Sequence, residues 1–89
     1  QGLGGALFEA VEFANGKILN SSLSDYKVPR FSDMPKIDVV LIDRKDLPSS
    51  GAGEAGIVCI APAIRNAILD ATGIGLNTLP MLPNGVLSQ

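Results

Sequence analysis

The stretch Ser49-Ser50-Gly51-Ala52-Gly53-Glu54-Ala55-Gly56 has the composition of a loop that displays one functional group, because Glu54 carries its only charge. A carboxylate held among small residues, with no charged neighbour in sequence, is a candidate general base, since apolar surroundings favour the form that has gained a proton. The small side chains would also let a bulky cofactor come close. A second reading takes Gly51 to Gly56 as G-x-G-x-x-G, which would set pyrophosphate on a helix N-terminus. The context opposes it. Seven residues separate Asp43 from Gly51, and no acidic residue ends a second strand about twenty positions on. A third reading makes Glu54 an ordinary helix-start acid, favoured by the helix dipole at ~0.3–1 kcal/mol. On pattern alone that third reading leads.

The elements that must position this loop are legible on both sides. Ile37, Val39 and Leu41 alternate with Asp38, Val40 and Ile42, which predicts a strand ending near Asp43 and covered on much of both faces. Arg44 to Ser50 reads as a charged loop. From Ile57, apolar residues at 57, 60, 61, 64, 67, 68 and 71 follow helical spacing, with Gly73 as the stop. Pro62 falls inside that pattern and predicts a kink or a restart. The loop is therefore expected at a strand-to-helix junction, a place where binding and catalytic groups are often displayed.

Upstream, Leu3, Ala6, Leu7, Ala10 and Val11 mark a first helix over residues 2–11. Its glycines weaken it and predict close packing on backbone outside this chain. Glu9 and Glu12 read as solvated charges rather than a carboxylate pair. Asn15-Gly16 predicts a type I′ hairpin over residues 11–20. Residues 21–35, with Pro29 and Pro35, read as an ordered connection held by Tyr26, Val28 and Phe31, with the Tyr26 hydroxyl bonded to backbone. Residues 74–83 allow one short strand and an extended, proline-punctuated tail. The sum is an α/β (α+β) arrangement of two helices, a short hairpin and one or two further strands.

Composition narrows the function classes. Of 89 residues, 46% are hydrophobic and only 4% aromatic, so the core is aliphatic and modest. A net charge of −2 without a Lys/Arg cluster excludes a nucleic-acid footprint. The absence of histidine excludes Ser-His, Cys-His and His-metal schemes, and a lone cysteine cannot complete a structural zinc site, so the chain itself is expected to bind no metal. Cys59 sits among Ile57, Val58 and Ile60 and is expected to be buried. A single cysteine favours a reducing compartment, hence the cytoplasm. No apolar run reaches the ~20 residues of a membrane span. A first residue of Gln1, without a basic leader, suggests a processed or excised fragment.

Six blocks stand in a telling order: Gln1-Gly2-Leu3-Gly4-Gly5-Ala6-Leu7-Phe8-Glu9; Asn15-Gly16; Leu19-Asn20-Ser21-Ser22-Leu23-Ser24-Asp25-Tyr26-Lys27-Val28-Pro29; Gly51-Ala52-Gly53-Glu54; Ala63-Ile64-Arg65-Asn66-Ala67-Ile68; and Leu79-Pro80-Met81-Leu82-Pro83. In this order and spacing the chain resembles the C-terminal end of the molybdopterin-binding large subunit of the xanthine dehydrogenase and aldehyde oxidase family of molybdenum hydroxylases, isoquinoline-type oxidoreductases included. The resemblance covers nearly the whole chain. It implies that residues 1–89 are the C-terminal portion of a molybdenum-cofactor-binding domain and that Glu54 is the catalytic base toward a molybdenum-bound hydroxyl. The substrate implied is an N-heterocycle or aldehyde, hydroxylated with oxygen from water.

The same resemblance places Gly51, Ala52 and Gly53 beside the molybdopterin-type cofactor, most of whose cage lies in the rest of the subunit. The partners it implies are that remainder, an iron–sulfur subunit or domain and, in many members, an FAD subunit, with the fragment inactive alone. Two departures bear on substrate class and loop geometry. Ser50 stands where many relatives have lysine and Ala55-Gly56 where they have prolines, and Pro62 replaces a small non-proline residue. The rival from another class is a small, non-catalytic packing or interaction module.

Overall fold

The computed structural model describes residues 1–82. Its elements are helix α1 (Gly2–Leu7), strands β1 (Phe13–Ala14) and β2 (Lys17–Ile18), 3-10 turns at Phe31–Asp33 and Ile57–Cys59, and helix α2 (Ile60–Thr72). The two helices and the hairpin expected from sequence are therefore present.

Helix α1 ends at Leu7 rather than at residue 11, its last turn closed by the Phe8 and Glu9 N–H groups donating to the Gly4 carbonyl at 2.9 Å. Two of its glycines serve close packing, but within this chain. A Cβ on Gly2 would lie 2.7 Å from Ile60 Cγ1, so glycine lets α1 approach the start of α2. A Cβ on Gly4 would overlap the Glu9 carboxylate and lie 3.0 Å from Pro29 Cδ. The expectation that these glycines face backbone elsewhere is corrected for Gly2 and Gly4.

The hairpin pairs Phe13 with Ile18 and Ala14 with Lys17, and its turn has positive φ at Asn15 (50°) and Gly16 (75°), as a type I′ turn requires. Asn20 closes the open end. Its side chain accepts from the Glu12 N–H at 2.9 Å and donates to the Ala10 carbonyl at 2.7 Å, which fixes the register beyond the short ladder.

Helix α2 starts at Ile60, directly after the 3-10 turn, and Pro62 falls in its first turn. Its missing N–H is one that the helix would leave unbonded there, so no bond is broken, and the change from 3-10 turn to α-helix at Ile60 is the restart expected around it. The helix stops where expected: Gly73 adopts a left-handed conformation (φ 75°) and its N–H donates to the Leu69 carbonyl at 2.8 Å. The segment after it returns to α1. Met81 and Leu82 donate their N–H groups to the Ala6 and Leu7 carbonyls, satisfying acceptors that a helix end leaves free. Arg65 fastens the same segment from α2, with Nε donating to the Leu76 carbonyl at 2.8 Å and the guanidinium to Asn77 Oδ1. Ala6, Leu76 and Met81 are the buried apolar side chains at this meeting of α1, α2 and the returning segment.

Four expectations are corrected. Residues 37–43 form no strand, and no strand follows Gly73 among the described residues, because neither segment finds a partner ladder there. Phe31 does not pack: it is 96% exposed on its 3-10 turn. Cys59 is exposed at the end of the turn before α2 instead of buried. Residues 83–89, which include the last proline of the Leu79–Pro83 block, lie outside the described residues.

Candidate active-site loop

Glu54 lies on the approach to α2, where its carbonyl accepts from the Ile57 N–H at 3.0 Å. This bond ties the loop to the 3-10 turn that leads into the helix. The helix side of the predicted junction is thus formed, while the strand side is an extended, unpaired segment. The Glu54 side chain is exposed, and among the described residues its carboxylate has no hydrogen-bond or ion-pair partner. It is chemically uncommitted.

The glycines around it have no reason of their own within this chain. A Cβ built on Gly51, Gly53 or Gly56 would meet nothing within 4 Å, and none of the three has positive φ. The N–H groups of Gly51, Ala52 and Gly53 have no backbone acceptor among the described residues. Three adjacent free N–H donors, an acceptor carboxylate and an open face on the glycine side are polar groups of the kind a large polar cofactor can take up. Among the described residues no group of three His, Cys, Asp or Glu side chains is arranged around one point. In the loop before the glycines the Arg44 guanidinium donates to the Asp46 carboxylate through two bonds of 2.8 and 2.6 Å. The Arg44 bond holds the Asp46 pKa below the ordinary carboxylate value.

Against these features, the family model of the molybdopterin cofactor-binding domain matches residues 1–35. The xanthine dehydrogenase molybdenum-binding subunit of Escherichia coli O157:H7 is 38% identical over 94 residues, covering 99% of this chain and 12% of that protein. Isoquinoline 1-oxidoreductase subunit beta of Brevundimonas diminuta is 42% identical over 93% of this chain and 10% of its own length. The aldehyde oxidoreductase molybdenum-binding subunit of Escherichia coli K12 is 36% identical over 99% of this chain and 13% of its own length. The chain belongs to this family of molybdenum-binding subunits. It spans about an eighth of the length of these relatives. No solved structure matches it.

Within that family setting the structure adds a pair the sequence reading did not foresee. Tyr26, half-buried, donates its hydroxyl to Glu9 Oε2 at 3.1 Å, so its partner is a carboxylate and not backbone, and Glu9 is not a freely solvated charge. Glu12 remains exposed. The only sequence signal for the pair was the recurrence of Glu9 and Tyr26 in two of the family blocks. Desolvation, the hydrogen bond to Glu9 and the Glu9 charge all raise the Tyr26 pKa above its ordinary value of 10.0. A raised folded-state pKa contributes stability below the ordinary tyrosine value, and that contribution is lost as pH rises through the folded value. Tyr26 is the single tyrosine of the 89 residues, so its ionisation curve is the ultraviolet difference between the complete subunit and its Tyr26→Phe variant. The midpoint should lie above that of free tyrosine and fall back in Glu9→Ala; an unchanged midpoint in that variant would show that Glu9 does not govern it.

Proposed function

We propose that this chain supplies the general base and one wall of the active site of a molybdenum hydroxylase, with Glu54 as the base and Gly51 to Gly53 beside the cofactor. The observation that carries this reading is the exposed, unpartnered Glu54 carboxylate next to glycines that neither conformation nor packing within the chain requires. When bound, the molybdenum cofactor supplies the redox chemistry and the reacting oxygen. Glu54 receives the proton released as the substrate carbon is attacked, and the anchoring of its backbone to Ile57 holds that acceptor at one place. The free N–H groups of Gly51, Ala52 and Gly53 hold polar cofactor atoms by hydrogen bonds. Most of the cofactor cage, the iron–sulfur clusters and any FAD lie on partner domains or subunits, so the chain alone is inactive.

The substrate class is an N-heterocycle or an aldehyde, in keeping with relatives named for xanthine, isoquinoline and aldehydes. Ser50 and Ala55-Gly56, small where many relatives carry larger groups, would shape the side of the pocket next to Glu54.

A glycine substitution tests the placement. In Gly53→Ala the added Cβ meets nothing within 4 Å in this chain, so its effect on the stability of the subunit should stay within about 0.5 kcal/mol. In the complete enzyme it should nevertheless lower molybdenum and pterin content, measured by metal analysis and pterin fluorescence. Full cofactor loading would remove Gly53 from the wall and favour the rival reading of a packing module.

A further inference from the structure

The segment Ile37-Asp38-Val39-Val40-Leu41-Ile42 follows a strand pattern yet stands unpaired. Val39, Val40, Leu41 and Ile42 are between 74% and 90% exposed. No backbone hydrogen bond involves residues 35–43, so both edges of the segment are open as well as both faces. The radius of gyration of 16.6 Å exceeds the ~12 Å of a compact chain this long, as expected when a stretch of this kind stands off the core. Its first residue, Ile37, lines an apolar groove with Leu3, Met34, Ile60 and Ile64, between α1 and α2.

We infer that residues 37–42 form an interior strand, inserted between two strands supplied by the remainder of the molybdenum-binding subunit. This rests on the proposed reading of the chain as part of that subunit, whose relatives are about eight times longer. Two features decide the occupant. Ile37, Val39 and Leu41 on one face and Val40 and Ile42 on the other are apolar, the pattern of a strand covered on both sides. Pairing with a second copy of the same segment would satisfy one edge and leave the other open, so it does not meet the demand of two edges and two faces. An apolar slot between two strand edges meets all four. The Ile37 groove then seats one face of the completed sheet against the α1 and α2 pair.

Residue-resolved amide hydrogen exchange on the complete subunit tests this. An interior strand bonds every N–H, whereas a strand paired along one edge bonds alternate ones. All consecutive amides from Asp38 to Ile42 should exchange at least ~10³-fold more slowly than in the unfolded chain. Alternating protection, or fast exchange throughout, would overturn the proposal, the alternating pattern pointing to a single-edge contact such as a second copy. Val40→Lys and Leu41→Lys, one on each face, should each lower the yield of folded subunit; normal yield from either would show that face to be open. The outcome is separable from the catalytic reading. Uniform protection together with an active Glu54→Gln enzyme would keep the strand and discard the base, and the converse pair of results would do the opposite.

Discussion

Glu54→Gln in the complete enzyme should slow reduction of the molybdenum centre by substrate by ~10²–10⁴-fold, the range that a positioned general base contributes. Glutamine keeps the size of the side chain and its reach from the loop but cannot take a proton. Since the Glu54 carboxylate supports no other group among the described residues, its replacement removes no hydrogen bond that holds the fold. Molybdenum content should therefore remain at the wild-type level, and stability should change by no more than about 0.5 kcal/mol. Rapid-mixing measurement of the reductive half-reaction, beside metal analysis of the same samples, separates the two properties. A loss of only a few-fold would assign Glu54 to the helix-start role that pattern alone favours, with the base lying elsewhere in the subunit.

Met81→Ala should be the most damaging change for stability. Met81 is 3% exposed and is one of three buried apolar side chains, with Ala6 and Leu76. Its own N–H and that of Leu82 cap the Ala6 and Leu7 carbonyls at 2.9 and 3.1 Å, so a void at this side chain lies where the returning segment is tied to α1. Truncating a buried Met to Ala costs about 2–5 kcal/mol, according to how far the surroundings collapse. Denaturant unfolding of the complete subunit should show the loss as a lower midpoint at unchanged slope. A shift under 1 kcal/mol would mean that α1 and the 76–82 segment close over the gap.

These two sites differ in how plainly the sequence announced them. Glu54 stood out as the lone charge in a small-residue loop, and the family blocks around it gave that charge a role. Met81 appeared only as part of the Leu79–Pro83 block in an expected extended tail. Its burial depends on contact with Ala6, seventy-five positions away, which no local pattern encodes. Asn20, Arg65 and the Tyr26–Glu9 pair belong with Met81: each acts on a group eight or more residues distant.

By itself the sequence determined the features set by local geometry. Asn15-Gly16 specified its turn because both central residues must adopt positive φ, Gly73 ended α2 because a left-handed residue closes a helix there, and the helical spacing read from Ile57 set the helix itself, although its first three residues form a 3-10 turn. It also fixed the family, through blocks whose order does not depend on packing. Tertiary structure decided what required a distant partner. Gly2 became a contact point because Ile60 lies against it, Pro62 became harmless because α2 begins only two residues before it, and Met81 became core because α1 receives it. The strand pattern of residues 37–42 stayed unpaired for the same physical reason. A strand, unlike a helix, bonds its backbone only to a neighbour, and the described residues offer it none.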